Sequence, residues 1–115
     1  MYFVLFVLHD STLCDDVLLS WENAGVQGVT ILPSTGLNRM QKRALQEDMP
    51  IIPSLEDFFS NNEEGNRTLF TIVNGDEMVD KILQATESVV GKLSGPNTGI
   101  LIVLPTVRTY GISSS

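Results

Sequence analysis

Two glycine-bearing bends carry the residues best suited to chemistry. The first, Thr35-Gly36-Leu37-Asn38-Arg39, runs directly into Lys42 and Arg43, and the second is Asn97-Thr98-Gly99. Free backbone N–H groups at such bends cradle anions. The planar guanidinium fork of Arg39, or of Arg108 further on, suits bidentate contact with phosphate or carboxylate. Arg39, Lys42 and Arg43 are three of the seven Lys and Arg residues in a 115-residue chain of net charge -7. Behind Gly36 they either receive an anion or pair with Glu47, Asp48, Glu56 and Asp57 of the same segment.

The other reactive side chains read as structural. His9 is the only histidine and falls at a strand end, with no nucleophile identifiable beside it. Asp15-Asp16 and Glu63-Glu64 are adjacent carboxylates, and neighbours on a helix or loop point apart. Cys14 is the single cysteine, near a helix N-terminus where a thiol pKa can fall, although a small helix residue is its plainer role. It allows no internal disulfide, and no Cys/His set has metal-ligand spacing. Acylphosphatases place a glycine-flanked arginine loop directly after the first strand, whereas this chain has LHDSTL there. No catalytic residue, metal site or enzyme activity is expected.

Composition narrows the class further. Apolar residues make up 43% and charged residues 18%, which is globular composition. The acidic balance argues against nucleic acid or an anionic membrane as partner, since both demand cationic surface. The apolar run at the start is too short for a span or a signal h-region, so a cytoplasmic location is expected. The length suits one domain over residues 1–115.

The elements that position the bends follow from periodicity. YFVLFVL, residues 2–8, is a continuous apolar run, as for a strand buried on both faces or at a subunit contact. Ser11 or Thr12 opens a helix over 11–24, with Thr12 and Asp15 at capping-box spacing and Gly25 at the C-terminal cap position. Its stripe is Leu13, Val17, Leu18, Trp21 and Ala24. A second strand spans 28–32, and Pro33 requires an edge or a bulge at its end. Strands over 68–74 and 100–104 flank a helix over 77–91, with Met78, Ile82, Leu83, Val89 and Val90 on one side.

Between the second and third strands lies a polar stretch, 36–66, with one short helical turn expected at 55–59. A connection of about thirty residues is long for a compact domain and reads as functional. The order β-α-β-loop-β-α-β predicts an α+β, ferredoxin-like sandwich, with a four-stranded antiparallel sheet and two helices on one face. The other face then needs a cover, and a partner subunit is the simplest one.

The stretch 25-GVQGVTILPSTGLNR-39 resembles the AGVxGxTVxxxxGFGR segment of the PII nitrogen-regulatory signalling proteins. The preceding helix, 13-LCDDVLLSWENAG-25, resembles their first helix in phase, and 99-GILIVLPTVRTYG-111 is similar to their GKIFVLP strand and arginine-bearing tail. The similarity covers most of the chain outside the long loop. It implies a non-enzymatic homotrimer whose intersubunit clefts sense ATP, ADP or AMP, with the long loop reaching a protein target. A membrane transporter is one kind of target the resemblance allows. On that resemblance, Thr30, Gly36, Leu37, Asn38, Arg39 and Gly99 fall at the nucleotide site, and Arg108 near the tail arginines. An ACT-like amino-acid-binding domain uses the same sandwich and is the alternative reading.

Departures from the family pattern are equally specific. Met40 replaces a glutamine tied to magnesium and 2-oxoglutarate, and Ile100 replaces a phosphate-binding lysine. Asn38 and Asn97 each stand where the family has glycine, and the long loop has no tyrosine to uridylylate. Loss of the lysine removes a charge-assisted bond worth about 1.5–3 kcal/mol, or one to two decades of affinity.

Overall fold

The computed structural model describes residues 1–36, 65–95 and 98–112. Tyr2–Leu8 forms β1, as its apolar run requires, and lies between two antiparallel neighbours. A 3-10 turn, Ser11–Leu13, leads into helix α1, Cys14–Ala24, and β2 follows at Thr30–Ser34. Asn66–Val73 is β3, Asp76–Val90 is helix α2, and Gly99–Pro105 is β4. The sheet order is β2-β3-β1-β4, all pairs antiparallel. This is the expected ferredoxin-like sandwich. The short helix expected at 55–59 lies outside the described residues.

The start of the first helix differs from expectation. Asp10, not the Thr12/Asp15 pair, supplies the cap: its carboxylate accepts from the Thr12 backbone N–H at 3.0 Å and from the Thr12 hydroxyl at 2.6 Å. Asp10 sits in extended backbone as β1 ends, so its side chain overhangs the amide two residues on. At the other end Gly25 adopts φ 112°, and the Gly25 and Val26 amides donate to the Glu22 and Trp21 carbonyls, both at 3.0 Å.

One side of the sheet is packed and the other is open. Val4, Phe6 and Leu8 of β1 and Leu69 and Val73 of β3 form one core cluster with Val17 and Trp21 of α1 and Ile82 of α2. Trp21 belongs to the core, as its place in the stripe implies, with its ring 6.5 Å from that of Phe6. Its indole N–H donates to the Thr86 hydroxyl at 2.8 Å, and that hydroxyl donates to the Ile82 carbonyl at 2.7 Å. Thr86 is thus a buried polar residue with both hydrogen-bonding roles filled, tying α2 to α1.

Strand boundaries shift where side chains compete with the ladder. The Gly28 carbonyl accepts from the Thr71 hydroxyl at 2.5 Å, so β2 begins at Thr30 instead of at residue 28. Pro33 then falls inside β2, which is tolerated because β2 is an edge strand. Strand β3 begins two residues earlier than expected, extending the pairing to Asn66↔Ser34.

Substitution of Thr86 by Val leaves the Trp21 indole N–H buried without its acceptor. The expected loss is about 1–3 kcal/mol of unfolding free energy, read as a lower denaturant midpoint at unchanged slope.

Candidate functional site

The register of the sheet locates those singled-out residues that the structure describes. Leu8 pairs with Arg67 on one side and with Gly99 on the other, and Ser34 pairs with Asn66. Gly36, two residues beyond Ser34, therefore lies at the same end of the sheet as Gly99. The two bends occupy opposite edges, with β3 and β1 between them. Three strand spacings separate those edges, about 14 Å. Thr30 opens β2 opposite Phe70, and so shares the open face with Phe70 and Phe3, whose rings lie 5.5 Å apart. Leu37, Asn38 and Arg39 lie outside the described residues, as do Met40, Lys42, Arg43 and Asn97.

Arg108 stands apart. It follows Pro105, which pairs with Tyr2 at the end of the sheet opposite Gly99. Six strand steps from Gly99 to Pro105 span about 20 Å. Beyond Pro105 the chain is held at its root, where the Thr106 N–H and hydroxyl donate to the Met1 carbonyl at 3.0 and 3.1 Å. A single chain accordingly brings Gly36 and Gly99 to one end of its sheet but not together, and leaves Arg108 at the other end.

The two bends differ in what demands glycine. A Cβ on Gly99, at φ 144°, would sit 2.6 Å from both the Phe6 ring and the Val7 carbonyl oxygen, so the edge strand closes on β1 only because no side chain is present. A Cβ on Gly36 would meet nothing within 4 Å. Gly36 is therefore free of a packing requirement among the described residues, and Gly99 is not. The turn before Gly99 is internally bonded, since the Thr98 hydroxyl lies 3.3 Å from both the Lys92 and the Gly95 carbonyl oxygens.

The open face is apolar through β1 and β4 and mixed on β3 and β2, where Thr68, Thr30 and Ser34 stand among Phe70, Ile72 and Leu32. Ile100, Ile102 and Leu104 are 53%, 42% and 52% exposed, and their register partners on β1 are Val7, Leu5 and Phe3. Ile100, which occupies the position of the family's lysine, thus continues an apolar stripe. Near Gly36 the Thr68 hydroxyl donates to the Ser34 hydroxyl at 2.8 Å. The sequence reading gives Ser34 and Thr68 no role. The alternation Thr68, Phe70, Ile72 along β3 marks this face, but only the pairing shows that its polar end meets the first bend.

Cys14 is half-buried, and its thiol is pushed above the ordinary value, by burial first and by the neighbouring Asp15 charge second, against the opposing pull of Arg67. The helix N-terminus does not activate it. Among the described residues no three His, Cys, Asp or Glu side chains group as a metal site, and no helix is long and apolar enough to cross a membrane.

These features define a ferredoxin-like α+β sandwich with one uncovered apolar face and two edge bends. No family model and no curated protein matches the sequence. Among solved structures, a Thermus thermophilus protein described as a candidate PII-like signalling protein is similar to this chain at a TM-score of 0.55 and 25% identity. The match covers 90% of this chain and 83% of that one. The likeness supports the reading of the sequence as a divergent PII-like chain.

Two outcomes are expected. Gly99→Ala lowers stability by about 1–3 kcal/mol in denaturant unfolding, because Phe6 and the β1 backbone must both give way. Because the folded thiol titrates above its ordinary range, Cys14 is alkylated more slowly than a free cysteine at about pH 8, and the deficit closes as pH rises, followed by mass spectrometry.

Proposed function

We propose that this chain is a non-enzymatic, PII-like regulatory protein that assembles as a trimer through its open sheet face. In this reading it senses a small anionic metabolite, an adenine nucleotide above all, in the seams between protomers. Gly36 with Leu37, Asn38 and Arg39 forms one wall of the seam, Thr30 stands beside it, and Gly99 lies at the opposite edge. Arg108 is supplied from the neighbouring protomer's tail. The bound state is then relayed to a protein partner through 36–66, and on the resemblance that partner belongs to nitrogen or related metabolism in the cytoplasm.

One observation carries the reading. The two bends sit at the same end of the sheet but on opposite edges. Copies arranged around an axis, open faces inward, turn opposite edges of neighbours toward one another and so join what a single chain holds apart. Burial of the apolar face supplies the driving force for that arrangement. The absence of the family's lysine, with Ile100 in its place, leaves Arg39 as the main charged contact for the anion.

Titration calorimetry with ATP, ADP, AMP and cyclic AMP tests the sensing step. One of them is expected to release heat at millimolar concentration or below, and Arg39→Ala weakens that binding about tenfold or more, as loss of a charge-assisted bond implies. No heat from any of them removes the nucleotide part of the proposal. Ile102→Glu places a carboxylate in the middle of the open face and is expected to shift the chain to a smaller particle in size-exclusion chromatography with light scattering.

A further inference from the structure

The edge strand β4 borders a second apolar surface, on the helix side. A groove of about 520 Å³ runs between α2 and β4, lined by Val79, Leu83, Leu93, Leu101 and Val103, and bordered at its Gly99 end by Ile100 of the open face. Its walls are apolar, and its outer lip is the edge of β4 that no described strand pairs, seven residues long with no charge along it. A long apolar edge of this kind is an association site unless something lies over it.

The segment after β4 carries apolar side chains that are left in water. Val107 is 97% exposed and Tyr110 is 83% exposed. The segment is nonetheless anchored: beyond the Thr106 bonds to Met1, the Thr109 hydroxyl lies 3.3 Å from the Met1 sulfur. That anchorage holds 106–109 at the Pro105 end of the sheet, toward β1, whereas the groove extends from Val103 back to Gly99. The segment is therefore directed away from its own groove.

Charge points to where it goes. Residues 106–112 include Arg108 and no acid, in a chain of net charge -7. Helix α2, which forms one wall of the groove, carries Asp76, Glu77, Asp80 and Glu87 against Lys81, with Lys92 just beyond its end. A cationic segment with exposed aliphatic and aromatic side chains complements an apolar groove beside an acidic helix, whose Glu87 carboxylate accepts from the N–H of the lining residue Leu93 at 2.9 Å.

We propose that the segment after β4 of one protomer, Val107 and Tyr110 foremost, docks in the α2–β4 groove of a second copy of this chain. The inference rests on the self-association proposed above and adds a contact distinct from the open sheet face. It places Arg108 between two duties: in the groove it lies near the α2 carboxylates, and an anion in the seam competes for it. Ligand binding and docking of the segment are then opposed.

Cross-linking tests the docking. Chains carrying Leu83→Cys and chains carrying Tyr110→Cys, each with Cys14→Ser, are mixed and oxidised. The docked geometry raises the local thiol concentration, so the mixed disulfide is expected to form about tenfold or more faster than the homodisulfide of either chain alone. In parallel, Val107→Ser with Tyr110→Ser is expected to weaken self-association about tenfold or more. Failure of the mixed disulfide, with both thiols still reactive toward a soluble reagent, overturns the docking, as does unchanged self-association of the double variant. A chain that associates under either of those results keeps the trimer reading. A monomeric wild-type chain removes both proposals.

Discussion

Two helices can cover only one face of a four-stranded sheet, and in this chain both faces are apolar. Val4, Phe6 and Leu8 meet α1 and α2, while Phe3, Leu5 and Val7 alternate with them along the same strand and meet no helix. Every larger feature follows from that mismatch. Each half-exposed side chain on the open face of β1 and β4 forgoes a part, about half, of the roughly 1.5–3 kcal/mol that full burial of an exposed side chain supplies. The open face thus favours association, and in the proposed assembly association joins the two bends that a single chain holds at opposite edges.

The covered face is specified with more than hydrophobic bulk. Trp21 and Thr86 meet across 65 positions of sequence through a hydrogen bond that fixes the distance and rotation of α2 against α1. The approach of the helices is close enough that a Cβ on Gly25 would come to 3.0 Å from the Met78 methyl. On the opposite side of the core, Gly99 lets β4 close against Phe6. These contacts set how the helices and β4 pack on the sheet.

Much of this is legible in the residues. The apolar run of β1 sets its limits at Tyr2 and Leu8, because both of its faces are apolar and the run stops where polarity begins. Helix α1 ends where Gly25 predicts. Less visible are features set by distant partners. Thr86 looks like a gap in the apolar stripe of α2, since its value depends on an indole 65 positions away. The start of β2 escapes local reading because a Thr71 hydroxyl takes the Gly28 carbonyl, a contact that no local pattern encodes. Asp10 yields to Thr12 as the apparent cap because the helix opens through a 3-10 turn. The candidate site is legible as residue types but not as a place: only the strand order reveals that Gly36 and Gly99 lie at opposite edges of one sheet end, and that Arg108 lies at the far end.

Sedimentation equilibrium of the unaltered chain over a range of concentrations is the most direct measurement of the central claim, that copies of this sandwich bury one another's open sheet face. The account predicts a particle of three times 12.6 kDa that persists on dilution to low micromolar concentration. A single species of 12.6 kDa at every concentration would contradict it.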